Sequence, residues 1–204
     1  MKAFVVAGTG TGVGKTLISA LLVEALGADY WKPVQAGDLE KSDTMTVSAL
    51  VSHPRTVFHP ETYRLNHPMS PHAAAALDQT EIRPEAFRVP ETKNTLLIEL
   101  AGGLMVPLNS EFLNLDLVKL WNYPVILVSG NYLGSINHTL LSLEILKQNQ
   151  VPVAGIIFNG PENPASEEFI LRYSGVKCLA HVREMQEVSR QEIKRLAGEL
   201  PISL

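Results

Sequence analysis

One cysteine, Cys178, is all that the sequence contains, which excludes an internal disulfide and any cluster of thiolate ligands around a metal. It falls in the apolar segment 176–182 and is expected as a small buried residue of a strand. Long apolar runs are missing too. Stretches such as 96–98 and 125–128 have strand length, far below the roughly 18–20 consecutive apolar residues that a membrane span needs. No block of lysine or arginine occurs, and 17 basic against 21 acidic residues give a net charge of -4. The long-range field therefore favours neither nucleic acid nor a membrane as partner, and small anionic ligands would be held by local cations. Lys2 leads directly into an apolar run and a glycine loop, without the features of a secretory signal, so a cytoplasmic location is expected. Repeats, low-complexity tracts and linkers are absent as well. With 46% hydrophobic content, residues 1–204 are expected to form one domain.

Strand-length apolar runs do occur, at 3–7, 30–34, 95–100, 124–129, 153–159 and 177–182. They show little polar alternation, as strands buried on both faces do. Between them, helical periods and caps predict helices at 15–26, 135–147, 164–173 and 189–200. The alternation implies a three-layer α/β/α domain around a mainly parallel sheet. In such sheets the ligand crevice lies beyond the carboxyl ends of the strands. The stretch 37–93 is broken by Pro54, Pro60, Pro68, Pro71, Pro84 and Pro90 into expected short helices and loops of the kind that surround a substrate.

The run Gly8-Thr9-Gly10-Thr11-Gly12-Val13-Gly14-Lys15-Thr16 lies between a strand and an amphipathic helix, the context of a phosphate-binding loop. Glycines let successive backbone N–H groups face one anion, and the helix start adds partial positive charge. Lys15 can reach terminal phosphates, and the Thr16 hydroxyl is placed to ligate magnesium. The usual glycine five positions before Gly14 is here Thr9, with a glycine displaced to Gly8. Glu99 ends an apolar strand, where an acid is costly to bury unless a metal or hydrogen-bond donor compensates it. Asp43 follows Ser42 at a helix start, which also suits a capping or dipole role. Ser135 opens a helix with apolar Ile136, Leu140, Leu143 and Leu146, and Gly134 before it leaves N–H groups accessible to an anion or simply to a cap. His72 and His138 have no second histidine at metal spacing, and hydrogen-bonding or packing roles are expected for both.

Six segments in register resemble the dethiobiotin synthetase family: the phosphate loop, Trp31-Lys32-Pro33-Val34-Gln35, Ser42-Asp43, Ser70-Pro71-His72-Ala73-Ala74, Glu99-Leu100-Ala101-Gly102-Gly103 and Leu133-Gly134-Ser135-Ile136-Asn137-His138-Thr139. Asn159, after a buried strand, extends the match. The resemblance implies a P-loop fold and conversion of 7,8-diaminononanoate, carbon dioxide and ATP into dethiobiotin, ADP and phosphate in biotin biosynthesis, with Mg2+ and as a homodimer. It implies catalytic roles for Lys32, Lys15 and Thr11, and magnesium ligation by Thr16, Asp43 and Glu99. Nucleotide contacts would come from Gly12, Val13, Gly14, Lys15, Thr16, Leu17, Asp43, Glu99, Leu100, Ala101, Gly102 and Asn159. Substrate contacts would come from Thr11, Lys32 and Ala36, with Ser135, Ile136 and Asn137 serving the neighbouring subunit. Lys15 nearby disfavours a second cation, so Lys32 is expected to titrate below its usual value of about 10.4. Without the family context, Lys32 would read as a solvated strand-end lysine and Asn159 as part of an ordinary turn.

Departures from the family pattern are Gly12 where relatives commonly have an acid, Ala36 where many have a hydroxyl, and Leu179-Ala180-His181-Val182-Arg183 where a Gly-Glu-Ile-Pro-like segment meets the base. The first two also suit a nucleotide-binding relative that has lost catalysis. A partner-controlled ATPase switch of the Min and Par type shares the fold and a related loop. It would carry a further lysine at position 10, which is Gly10 here, and no basic amphipathic tail for a membrane or DNA is visible. Amidating cobyrinate synthases need a further glutaminase domain, for which 204 residues are too few.

Overall fold

The structure, a computed structural model, describes residues 2–200. Its chain runs β1 (Ala3–Gly8), α1 (Lys15–Leu26), β2 (Asp29–Trp31), β3 (Val34–Ala36), α2 (Asp43–Leu50), β4 (Phe58–His59), β5 (Tyr63–Leu65), α3 (Pro71–Leu77), β6 (Leu96–Gly103), α4 (Asn114–Trp121), β7 (Val125–Gly130), α5 (Ser135–Gln148), β8 (Val153–Asn159), α6 (Pro164–Ser174), β9 (Cys178–Val182) and α7 (Arg190–Glu199). Seven strands form one sheet in the order β4-β2-β6-β1-β7-β8-β9, and all neighbours are parallel. The expected mainly parallel sheet is present, with β1 at its centre.

Alternation along the strands builds both interfaces of the sheet, because successive side chains point to opposite faces. Phe4 and Val6 pack with Ile18, Leu21 and Leu22 of α1, Val47 of α2 and Ile193 of α7. Val5 and Ala7 face the other way, into a cluster with Leu115 of α4, Leu143 and Leu146 of α5 and Ile170 of α6. Both faces being covered, the strands carry almost no polar residues, which is why they read as continuous apolar runs.

The segment expected as one strand at 30–34 is two. β2 ends at Trp31, and β3 starts at Val34 and pairs with β5 in a separate two-stranded sheet. Pro33 has no N–H for a ladder and disfavours its continuation, so the chain leaves the main sheet there. The stretch 37–93 contains the short helices α2 and α3, and also the short strands β4 and β5. Helix α4 had no sequence signal at its start because its N-cap is Leu113; Asp116 supplies the capping bond instead, accepting from the Leu113 N–H at 2.9 Å. Cys178 is corrected as well: it is the first residue of edge strand β9 and is exposed rather than buried.

Candidate active site

Register brings the first two functional side chains together. Asp29, Tyr30 and Trp31 of β2 pair with Leu96, Leu97 and Ile98 of β6, so Lys32 emerges from β2 beside Glu99. Side chains two apart share a face, and Tyr30 and Lys32 both reach Glu99. The Tyr30 hydroxyl donates to Glu99 Oε2 at 2.9 Å, and Lys32 Nζ donates to Oε1 at 3.1 Å. Lys32 also lies 2.6 Å from Asp43 Oδ2. From the first turn of α1, Thr16 Oγ1 stands 2.8 Å from Asp43 Oδ1 and 3.1 Å from Glu99 Oε1. One hydroxyl proton can serve only one of those acceptors at a time.

The carboxylate of Glu99 is 1% exposed, and its burial is compensated by Lys32 and Tyr30, with the Thr16 hydroxyl as an alternative donor. Ser42, not Asp43, is the N-cap of α2, accepting from Met45 N. That leaves the Asp43 carboxylate free to turn toward Lys32. Its backbone N–H is held at 3.1 Å by Gln35 Oε1, a residue whose part in fixing α2 the sequence did not announce.

Burial pulls the Lys32 ammonium down, but the adjoining Glu99 and Asp43 carboxylates outweigh it and hold the group above its usual range. The expected depression therefore falls on the other lysine. Burial lowers Lys15, with Glu99 opposing and Lys32 adding to the shift; its ammonium rests on Gly10 O at 3.0 Å. For Asp43, burial is overcome by Lys32 and Thr16, so its carboxyl titrates below the ordinary range. Burial and the Glu99 charge push the Tyr30 phenol well up.

The glycine displaced to Gly8 has a steric reason: a Cβ there would lie 2.8 Å from Gly10 O and 2.8 Å from a Val13 methyl carbon. At Gly12 the backbone takes φ +76°, a conformation that a side chain disfavours, although the space beside it is open. Thr11 and Gly12 separate two cavities. One, of about 640 Å³, is lined by Lys15, Thr16, Lys32, Ala36, Asp43 and Glu99, with Ala101 and Gly102 at its edge. The other, of about 550 Å³, is lined by Val13, Leu17, Asn159, Arg183, Glu184 and Met185.

Asn159 ends β8 and donates from Nδ2 to Val13 O at 3.0 Å, tying that strand to the phosphate loop. Arg183 to Met185 carry no recognisable motif. They arrive because β8 and β9 are parallel with Asn159 opposite Val182, a placement that only the register reveals. The Leu100 side chain turns into the core, away from the cleft that Glu99 faces, which leaves its backbone for any nucleotide contact. Ser135, Ile136 and Asn137 line neither of these cavities. Ser135 is buried, and its N–H donates to Tyr132 O at 2.9 Å, so the first amide of α5 is already engaged. His138 does take a hydrogen-bonding role, its Nδ1 lying 2.7 Å from the Tyr132 hydroxyl.

The AAA domain family matches residues 2–192. An ATP-dependent dethiobiotin synthetase of Cytophaga hutchinsonii is 46% identical over 201 residues, covering 98% of this chain and 97% of the relative. One of Christiangramia forsetii is 48% identical over 196 residues, covering 96% and 94%. The chain belongs to the ATP-dependent dethiobiotin synthetase family. Among solved structures, the septum site-determining protein MinD of Pyrococcus horikoshii, complexed with Mg-ADP, is similar in fold with a TM-score of 0.61. It is 16% identical, with 97% of this chain and 95% of that one covered. The Min-type rival thus shares the architecture, and the sequence separates it from this family.

For a member of this family, Thr16, Asp43 and Glu99 are the residues that could hold Mg2+. Hydroxyl and carboxylate oxygens are the donors that a hard cation takes, and three are fewer than the six it coordinates. Among the described residues no cluster of three or more His, Cys, Asp or Glu side chains is placed to hold a metal. The donor set therefore fits a metal that arrives with phosphate oxygens.

Proposed function

We propose that the chain is an ATP-dependent dethiobiotin synthetase of biotin biosynthesis, acting in the cytoplasm on 7,8-diaminononanoate and carbon dioxide, with the whole chain working as one catalytic unit. The observation that carries this is the convergence of Lys32, Thr16, Asp43 and Glu99 at the mouth of a phosphate loop, in a chain 46% and 48% identical to enzymes of that name.

One substrate amine takes up carbon dioxide and releases a proton, giving a carbamate. A carbamate oxygen attacks the γ-phosphorus of ATP, and ADP leaves. The second amine then attacks the carbonyl carbon of this mixed anhydride. Phosphate departs with the amine proton, and the cyclic urea closes. Every intermediate is anionic, so positioned cations supply most of the catalysis. In this reading the backbone N–H groups of Gly12 to Gly14, with Lys15, Thr16 and Leu17, cradle the phosphates. Lys32 stabilises charge on the carbamate and on the transferring phosphoryl group, and Thr11 and Ala36 border the substrate. Glu99, Ala101 and Gly102 line the phosphate side, and Asn159 borders the base. Thr16, Asp43 and Glu99 would hold Mg2+, which would neutralise phosphate charge when bound.

The start of α5 is read as serving the partner's site in a two-fold dimer, through Ser135, Ile136 and Asn137. Support comes from the apolar surface around it: Leu133 is fully exposed, and Tyr132 and Leu141 are exposed nearby. Incubation with 7,8-diaminononanoate, bicarbonate and MgATP tests the function. A product with the mass of the cyclic urea is expected, in step with ADP release. ATP consumption without that product would refute the assignment.

A further inference from the structure

All four carboxylate oxygens at the site already have a donor. With the Thr16 proton on Asp43, Oδ1 has Thr16 and Oδ2 has Lys32; Glu99 Oε1 has Lys32, and Oε2 has the Tyr30 hydroxyl. Lys32 is the charged member of that set. Its ammonium sits 2.6 Å from one acid and 3.1 Å from the other, in a position where it is 4% exposed. A divalent cation using both carboxylates must displace the ammonium or approach it closely.

We propose that Lys32 is a resident stand-in for the metal: in the nucleotide-free protein it fills the seat between Asp43 and Glu99 and keeps that seat closed to a divalent cation alone. Lys15 cannot do this, because its ammonium is bonded to the Gly10 carbonyl and to neither acid. Arrival of a nucleotide changes the balance. Phosphate oxygens offer the Lys32 ammonium new acceptors, and they complete the coordination of a cation that the protein alone leaves short of ligands. Lys32 then exchanges carboxylates for phosphates as the cation takes its place. The same movement that admits the metal thus delivers the lysine to the transferring group, so an empty site does not collect metal without nucleotide. The proposal rests on the reading of Thr16, Asp43 and Glu99 as metal ligands, and it does not depend on which substrate is turned over.

Binding of Mn2+ alone to the nucleotide-free protein, followed by the electron paramagnetic resonance signal of free Mn2+, tests it. One positive charge about 6 Å from a divalent cation weakens its binding about tenfold even with the screening of bulk water. Lys32→Gln and Lys32→Met should therefore bind Mn2+ at least about tenfold more tightly than wild type. Lys15→Gln removes an equal charge from the same cavity without vacating the seat, and should gain distinctly less than the Lys32 variants. Circular dichroism checks that each variant is folded, and if Lys32→Gln is not, Lys32→Met is used in its place. The proposal is overturned if the Lys32 variants bind Mn2+ no more tightly than wild type, or if Lys15→Gln gains as much. Wild-type protein that binds Mn2+ alone at low-micromolar concentration overturns it without any variant. Adding Asp43→Asn to Lys32→Gln should abolish the gain. If the gain persists, the metal sits elsewhere and the ligand reading itself fails. Absence of dethiobiotin synthesis would sink the proposed reaction and leave the metal result standing.

Discussion

Tyr30→Phe removes a single oxygen from the centre of the site and leaves no cavity, since the ring stays in place. The hydroxyl is fully buried and donates at 2.9 Å to Glu99 Oε2, which has no other donor among the described residues. A hydrogen bond to a charged group contributes about 1.5–3 kcal/mol, and a buried acceptor left without one bears its desolvation cost. The variant should therefore lose about 1.5–3 kcal/mol, or about 3–12 °C in Tm for a chain of this size. Urea titration should show a lower midpoint with an unchanged slope, as expected when the fold is kept. Burial and Glu99 raise the Tyr30 phenol well above its usual range, so it remains a donor at all ordinary pH. The stability difference should accordingly be constant between about pH 6 and pH 9. A carboxylate that has lost its orienting partner should also lower kcat/KM about tenfold or more, as loss of the outer support of metal ligands does elsewhere. A double-mutant cycle with Glu99→Gln apportions the effect to this pair. If Tyr30→Phe stayed within about 0.5 kcal/mol of wild type, below the value assigned to such a bond, the claim that Glu99 depends on Tyr30 would be wrong.

Lys32→Gln should lower kcat about 10²- to 10³-fold, because its charge counts most on the transferring phosphoryl group in the transition state; steady-state kinetics with nucleotide-binding calorimetry separates this loss from the smaller change in ATP affinity that follows when Lys32 no longer exchanges carboxylates for phosphates. Lys15→Gln should damage both, because Lys15 meets the phosphates in ground and transition states alike. Asn159→Ala breaks the bond from β8 to Val13 O and should raise the KM for ATP several-fold, for a contribution of about 1 kcal/mol; an unchanged KM would mean that the loop holds its shape alone. Asp29 is buried, yet hydrogen bonds from Thr92, Asn94 and Val57 and the charge of His59 hold its carboxyl below the ordinary range. A depressed acid stabilises the fold above its unfolded pKa, about 3.9, and that contribution disappears as pH falls through the folded value. Asp29→Asn should thus cost at least about 2 kcal/mol at pH 7 and distinctly less near pH 3, as urea melts at the two pH values would register.

How much of this could be read beforehand depended on how local each signal was. The phosphate loop, the helix after it and the buried parallel strands are encoded within short windows, and they appear at the expected places. Residues 15–26 form α1 without a shift at either end. Signals that depend on distant chain were illegible. Nothing near Leu113 announces α4, because its cap comes from Asp116 within the helix. Arg183 to Met185 reach the second cavity only through the β8 and β9 register. Likewise, Lys15 nearby points to a depressed Lys32, whereas the acids that reverse the sign lie 11 and 67 residues away in sequence. Cys178 looked like core because its segment is apolar, but β9 is the edge of the sheet and its first residue has no strand beyond it.

The break at Pro33 connects the fold to the chemistry. In a parallel ladder a slip of one residue moves every side chain to the opposite face. With Trp31 opposite Ile98, Tyr30 and Lys32 share the face that Glu99 occupies, while Trp31 turns away to the other core and packs 5.5 Å from Trp121. Burying Trp31 on that side therefore fixes the side on which Lys32 emerges. Pro33 then ends the strand before the lysine can be drawn into a ladder, and α1 delivers Lys15 and Thr16 on the same face from the central strand β1. Lys32, Glu99 and the loop that carries Lys15 and Thr16 thus meet because β2, β6 and β1 are adjacent and parallel, and Asp43 joins them from α2. The apolar packing of Trp31, distant from any phosphate, is what orients the charge that the proposed reaction uses.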